Sequence, residues 1–265
     1  MKVTVLCNDV ALDGMGAEHG LSLLLETHGK TLLFDTGSTN VTVDNARRLG
    51  IDISRIDCVI ISHGHYDHLG GLKSVLQKTG KKQVLIGKGA LKSKYSGIDL
   101  GSPEENLSDY EALGADFEVV SSNREMAEGI LLLTAAPFGT SERPQEKFVV
   151  VENGKRERDL FGDELSMLVI EDCRGTLVTG CSHRGIGNIV RQASEHCAVK
   201  NVIGGLHLHH KRSEELRNIC DYLSQFGIDS YNIGHCTGDN AIGFFKAGVK
   251  ATVSELRAGD SFEIR

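Results

Sequence analysis

No tryptophan occurs in the chain and aromatic residues make up only 5% of it, so a core has to be built mainly from valine, isoleucine, leucine and alanine. Only 3 prolines stand against 31 glycines, a balance that suits many short turns between regular elements better than disorder. No apolar run approaches the ~18 residues of a membrane helix. The Met1–Asp9 stretch holds one Lys and an apolar segment too short for a secretion signal. Positive charge is in deficit, and a formal net charge of −7 argues against a general nucleic-acid binder. The 7 cysteines (at 7, 58, 173, 181, 197, 220 and 236) are scattered without a CxxC, most of them in apolar runs where a free Cys acts as a small buried hydrophobe. Their odd number and irregular spacing point to a reducing compartment. The expectation is a cytoplasmic protein with no membrane or nucleic-acid partner, while oligomeric state stays open.

At 265 residues, 40% of them hydrophobic, the chain can bury a sizeable core, and no low-complexity linker divides it. Its first part reads as a strand over Met1–Cys7, a loop over Asn8–His19 and a hairpin of Leu21–Glu26 with Lys30–Phe34. A helix is predicted over Thr39–Leu49 with Gly50 as its stop, then a strand over Ile56–Ser62 and a helix over Leu69–Lys78. Strands are expected at Gln83–Gly87, Phe117–Val120 and Ile130–Ala135, with weak, polar patterning between Lys88 and Ser122. The segment 136–164 is the least regular. It holds two of the prolines and the charged run Lys155–Asp159, and reads equally as a solvated hairpin or a lid over a site. Strand and helix then alternate: strands at Leu165–Ile170, Thr176–Thr179, Asn201–Ile203, Tyr231–Ile233, Ala251–Val253 and Ser261–Ile264, helices at Ile189–His196, Ser213–Phe226 and Ala241–Phe245. The pattern predicts one α/β domain over 1–265.

The chemistry concentrates in Ser62-His63-Gly64-His65-Tyr66-Asp67-His68, three imidazoles and a carboxylate directly after an apolar strand and before Gly70-Gly71. A solvated, His-rich surface loop would be the bland reading. The density and type of donors, His, His, Asp and His, instead match what zinc or iron selects. A second pattern supports this: the strands ending near Ser62, Ser182, Leu206 and Gly234 each run through small residues and emit a His, at 63, 183, 207 and 235. Ligands gather at the carboxyl ends of strands in α/β sheets, so these four can converge. His28 and His196 read as surface residues, and His209 and His210 as neighbours of the 207 loop.

His63-x-His65-x-Asp67-His68 after a strand, single His at 183 and 235, and Asp35-Thr36-Gly37 closing an early strand together resemble the metallo-β-lactamase superfamily of metallohydrolases. The resemblance spans nearly the whole chain. It implies an αββα four-layer sandwich with a metal site along one edge of its two sheets. It also implies that His63, His65 and His183 hold one metal, that Asp67, His68 and His235 hold a second, and that Asp35 supports the ligands by hydrogen bonding, with His19 as a further support. Ala17–Ser22, Thr179–Asn188, Gly204–Leu208 and Gly234–Gly238 are similar to a branch named for dihydropterin-methyl-ribofuranosylaminobenzene phosphate synthase, of tetrahydromethanopterin biosynthesis.

The strand where many binuclear relatives place a bridging Asp ends here in Gly205-Leu206-His207, so His207 is expected either as a metal ligand or as a proton donor beside the site. With Asp67 as the only carboxylate among the donors, two divalent ions would keep a charge of about +3 before hydroxide binds. The expected function is therefore hydrolysis by a metal-bound hydroxide of a small, anionic, phosphorylated substrate, with Asp67 and His207 catalytic and one or two Zn²⁺ ions, or Fe or Mn, as cofactor. Arg184 and the Gly185–Asn188 turn opening a helix are the expected anion contacts. Synthase chemistry at the same metals and a non-catalytic metal or redox role are the alternatives. Cys181 and Cys236 are expected to point away from the metals.

Overall fold

The computed structural model describes residues 1–103 and 105–264. Two seven-stranded sheets and a smaller four-stranded one make up the β structure. In the first large sheet Lys2–Cys7, Ser22–Thr27 and Lys30–Phe34 pair antiparallel, and Cys58–Ile61, Lys82–Gly87 and Ala115–Val120 continue it in parallel. Ser261–Glu263 closes its outer edge against Lys2–Cys7. The second large sheet has the same logic. Arg124–Ala127, Ile130–Thr134, Leu165–Glu171 and Arg174–Thr179 are antiparallel, and Ala198–Gly205, Ser230–Gly234 and Thr252–Glu255 follow in parallel.

Strand alternation builds the layers. Leu23, Leu25, Leu32, Phe34 and Ile60 face Met167, Val169, Val178 and Ile203 of the other sheet in one buried cluster. Their neighbours Leu24, Leu33, Val59 and Ile61 turn the opposite way, onto the helices Val41–Arg48 and Leu72–Thr79 through Val43, Ala46, Leu72, Val75 and Leu76. Likewise Leu168, Leu177 and Val202 pack outward on Ile186–Ala193, Ser213–Leu223 and Asp239–Gly248. Both sheets are thus apolar on both faces, the period of two sending consecutive residues into different layers. The result is the αββα sandwich.

Most predicted elements lie within a few residues of their observed bounds. The helix expected at Ile189–His196 begins earlier, at Ile186, because Gly185 with φ 94° supplies the turn that starts it. The stretch before Leu72 is not a simple loop: Tyr66–Leu69 is a helical turn carrying Asp67 and His68. Glycine permits the close approaches there, since a Cβ on Gly71 would lie 2.0 Å from the Thr36 carbonyl oxygen and one on Gly64 1.7 Å from that of Ala90.

Of the small sheet, the sequence marks only the hairpin within 136–164. The sheet joins Lys155–Arg158, Phe148–Glu152, Lys94–Ser96 and Asp99–Leu100. A short capped helix, Leu107–Ala112, and the strand Arg124–Ala127 were also not foreseen. Each of these elements buries at most one residue, Lys94, Phe148 or Tyr110, so no hydrophobic period marks them. Among the described residues no helix is long and apolar enough to cross a membrane.

Candidate metal centre

The strand Cys58–Ile61 delivers His63, with His65 opening the helical turn that follows. Lys30–Phe34 delivers Asp35, Arg174–Thr179 leads to Cys181 and His183, and Ser230–Gly234 to His235. Asp35, Ser182, His207 and His235 have φ of 61°, 60°, 50° and 51°. Left-handed residues other than glycine cost of order 1–3 kcal/mol each and persist where surrounding contacts fix them. Each of these turns redirects a strand end towards the same edge of the sandwich.

Two carboxylates orient the imidazoles. Asp35 is fully buried, and its Oδ2 accepts from His68 Nδ1 at 2.7 Å and from the Ser62 hydroxyl at 2.7 Å, while its Oδ1 accepts from the Ser62 amide at 2.7 Å. The same hydroxyl lies 2.9 Å from His63 Nδ1. The second carboxylate, Asp9, was not foreseen: its Oδ1 is 2.6 Å from His235 Nδ1 and its Oδ2 2.8 Å from His19 Nδ1. With Nδ1 engaged in this way, His63, His68 and His235 each turn Nε2 towards the centre, the atom a metal would take.

Two groups of donors meet at the centre. In one, ligand atoms of Asp67, His68, Cys181 and His235 all lie within 4.8 Å of one another; in the other, those of His63, Cys181 and His183 do. His65 joins neither at that distance, but its ring centroid is 4.7 Å from that of His63 and 5.0 Å from that of His183. The residues suit a metal on direct grounds. His65 Nε2, His183 Nδ1 and His235 Nε2 are buried without a hydrogen-bond partner, which in a protein interior costs of order 1–3 kcal/mol apiece. His63 Nε2 and His183 Nε2 face each other at 3.2 Å. Two ring nitrogens at that distance repel unless a proton or cation lies between them.

Electrostatics separates the halves. Burial, reinforced by neighbouring imidazoles, pushes His63 and His183 well below the usual histidine range, and burial takes His65 down to about 3. These three are neutral, the form that binds metal. In the other half burial opposes charge on His68, yet Asp67 and Asp35 raise it to about 9. Burial likewise opposes ionisation of Asp67, but the charge on His68 and the close approach of His235 and His68 hold it well below the carboxylate range. Its Oδ2 stands 3.3 Å from His235 Nε2, 3.4 Å from His19 Nε2 and 3.5 Å from His68 Nε2.

A cavity of ≈ 520 Å³ opens onto the centre, lined among others by His19, His65, Asp67, Lys147, Phe148 and His207. Part of its wall comes from the segment 136–164, which is both a hairpin and a cover. Its strands Phe148–Glu152 and Lys155–Arg158 are partly or wholly exposed, but Phe148 sits 5.2 Å from the His65 ring and Phe161 stacks on His183 at 3.8 Å. Arg184 does not line this cavity. At the position after His183 it turns away, donating from Nε to the Ala136 carbonyl at 2.7 Å and lying 3.9 Å above the Phe138 ring. The Gly185–Asn188 turn is also occupied from within, since the Gly187 amide donates to Glu142 at 2.8 Å and Asn188 Oδ1 accepts from Gly139 and Thr140. Both expected anion contacts anchor the covering segment instead. His207 stands beside the centre, 4.3 Å ring to ring from His183, and its ligand atoms group with those of His209 and His210.

A family model described as the metallo-beta-lactamase superfamily matches residues 15–165. The chain belongs to that superfamily. Within it, an uncharacterized protein of Methanocaldococcus jannaschii is 32% identical over 91% of this chain and 92% of its own length. The 7,8-dihydropterin-6-methyl-4-(beta-D-ribofuranosyl)-aminobenzene-5'-phosphate synthase of the same organism is 28% identical over 98% of this chain and 95% of its own. Among solved structures, a metal-dependent hydrolase of the beta-lactamase superfamily superposes with a TM-score of 0.91 at 34% identity, covering 100% of this chain and 99% of the other. A metallo-beta-lactamase superfamily member with these donors is expected to depend on the carboxylates behind its imidazoles. Replacing Asp9 with Asn should weaken metal binding about 10–100-fold with the fold intact, as loss of such partners does elsewhere. A competition titration against a chromogenic chelator would check it, and an unchanged affinity would remove Asp9 from the account.

Proposed function

We propose that this chain is a metal-dependent hydrolase acting on a small, anionic, phosphorylated substrate, with Zn²⁺ as the resident ion. The observation that carries the reading is the pair of donor groups, neutral imidazoles on one side and Asp67, His68 and His235 on the other, at the floor of a single open cavity. When bound, the metal supplies Lewis acidity and a nucleophile drawn from water near neutral pH. His63, His65 and His183 would hold one ion, and Asp67, His68 and His235 a second. Asp67, ionised and facing three imidazoles, orients the attacking group. His207 lines the cavity outside both donor groups. As a neutral imidazole, its pKa held low by burial and by His209 and His210, it can hydrogen-bond the leaving group.

An anionic substrate follows from charge. Neutral imidazoles add nothing to offset divalent ions, and Lys147 adds a cation to the lining. Asp239 and Glu255 also line the cavity, so the attraction has to come from the centre and Lys147, not from the rim as a whole. Phosphomonoesters and uncharged esters or lactones assayed side by side on the metal-loaded protein should differ in kcat/KM by at least about tenfold in favour of the phosphorylated compounds, equivalent to ~1.4 kcal/mol. Exclusive turnover of uncharged substrates would reject this part of the proposal. The likeness to the pterin-pathway synthase over nearly the whole chain supports a second reading, bond formation on a phosphorylated ribose at the same site. Product analysis with and without an aminobenzoate-type acceptor separates the two.

A further inference from the structure

We infer that Cys181 binds as a thiolate between the two halves of the centre and supplies the anionic bridge that no carboxylate supplies here. The inference rests on the metal-binding reading above. Sγ of Cys181 belongs to both donor groups, within 4.8 Å of one ligand atom each of Asp67, His68 and His235 and also of His63 and His183. No other residue is shared between those two groups. His68 Nε2 lies 3.1 Å from Sγ, and the other nitrogen of that ring is committed to Asp35. The unpartnered Nε2 of His235, a residue 8% exposed, is an independent mark of a missing ion in the group that Cys181 completes.

Local geometry explains how the thiol comes to face inward. The strand ends at Thr179, so its alternation does not govern Cys181 and His183. The left-handed Ser182 between them redirects the chain, and its hydroxyl is fixed on the Gly205 carbonyl at 2.8 Å. Cys236 differs. It follows His235 in a tight helical turn, and its Sγ lies 3.8 Å from the Cys181 carbonyl oxygen, outside both groups. Glycines clear the space: a Cβ at 180 would fall 2.0 Å from the Ser62 hydroxyl, and one at 205 would fall 2.7 Å from Cys236 Sγ.

Two consequences follow. With a thiolate beside Asp67, a pair of divalent ions would keep about +2 instead of about +3, which still favours an anionic substrate. A sulfur donor also prefers zinc or iron to manganese, which favours oxygen ligands.

The test is spectroscopic. The full-length protein is stripped with a chelator and reloaded with Co²⁺, and bound metal is counted before spectra are taken. Wild type should develop a near-ultraviolet thiolate-to-cobalt charge-transfer band. The band should vanish in Cys181→Ser and persist in Cys236→Ser. X-ray absorption on the zinc-loaded wild type should show a sulfur shell at about 2.3 Å, a readout that needs no variant to fold. Stoichiometric cobalt with no band, or a band that survives Cys181→Ser, would overturn the thiolate while leaving the metal centre standing. Failure of wild type to bind cobalt or zinc at all would overturn both.

Discussion

Replacing Asp67 with Asn is expected to lower turnover by about 10²–10⁴-fold, the range associated with loss of a positioned acid–base group. The substitution keeps shape and removes charge. Asp67 Oδ2 faces the Nε2 atoms of His235, His19 and His68 at 3.3–3.5 Å. A neutral amide there withdraws the one carboxylate of the second donor group and presents an N–H to atoms that need an acceptor or a cation. Metal bound per chain and kcat/KM should be measured on the same preparation. A fall in turnover with one ion retained assigns Asp67 to the second half of the centre. Unchanged turnover would mean that this carboxylate has no part in the chemistry.

The largest effect on stability is expected at a residue outside the centre, Lys94. It is 1% exposed, with its ammonium 2.9 Å from Asp163 Oδ1 and 2.5 Å from Asp159 Oδ2. Burial opposes its charge, but the two carboxylates more than restore it and raise the Lys94 pKa above its ordinary value. A raised lysine contributes stability that is fully present below its unfolded pKa of about 10.4 and is lost as pH climbs through the folded value. Lys94→Met should therefore cost about 3–5 kcal/mol at neutral pH, the usual penalty for leaving buried charges uncompensated. Urea unfolding at pH 7 measures it. The penalty should shrink as pH climbs through the folded Lys94 value, where the wild-type ammonium is itself lost, and a loss independent of pH would point to packing instead. The consequence reaches the centre, because Asp163 Oδ2 accepts from the Gly64 amide at 2.9 Å, between His63 and His65.

The residues that could be read from sequence were those whose role is local. His63, His65, Asp67 and His68 lie within six positions, and the strands carrying His183 and His235 announce themselves by apolar runs. Alternation in those strands also made the layers of the sandwich legible, since each apolar run is buried on both faces. Asp9 is the opposite case. It sits in an irregular loop, 226 positions from the imidazole it orients, and a lone Asp in such a loop reads as solvated. Cys181, expected to point away from the metals, lies beyond the strand end at Thr179, and the left-handed Ser182 after it sets its Sγ among the donors.

Adjacency misled in another way at Arg184. Being next to His183 in sequence placed it in the expected site, while the backbone turned its guanidinium onto Phe138 and the Ala136 carbonyl. The segment 136–164 hid its contribution behind charge. Its run Lys155–Arg158 is exposed, but Phe148, Asp159, Phe161 and Asp163 are buried: Phe148 lines the cavity, Phe161 stacks on His183, and the two carboxylates hold Lys94. No local period marks residues whose partners come from three different strands.

The central claim is that activity belongs to a metal held by these imidazoles and Asp67. It is tested most directly by turnover of a phosphorylated substrate as metal is returned, in counted equivalents, to chelator-treated protein. The account predicts no turnover without metal and a rise in proportion to bound Zn²⁺ that saturates at one or two ions per chain. Turnover that persists in the stripped protein, or that does not follow bound metal, would contradict it.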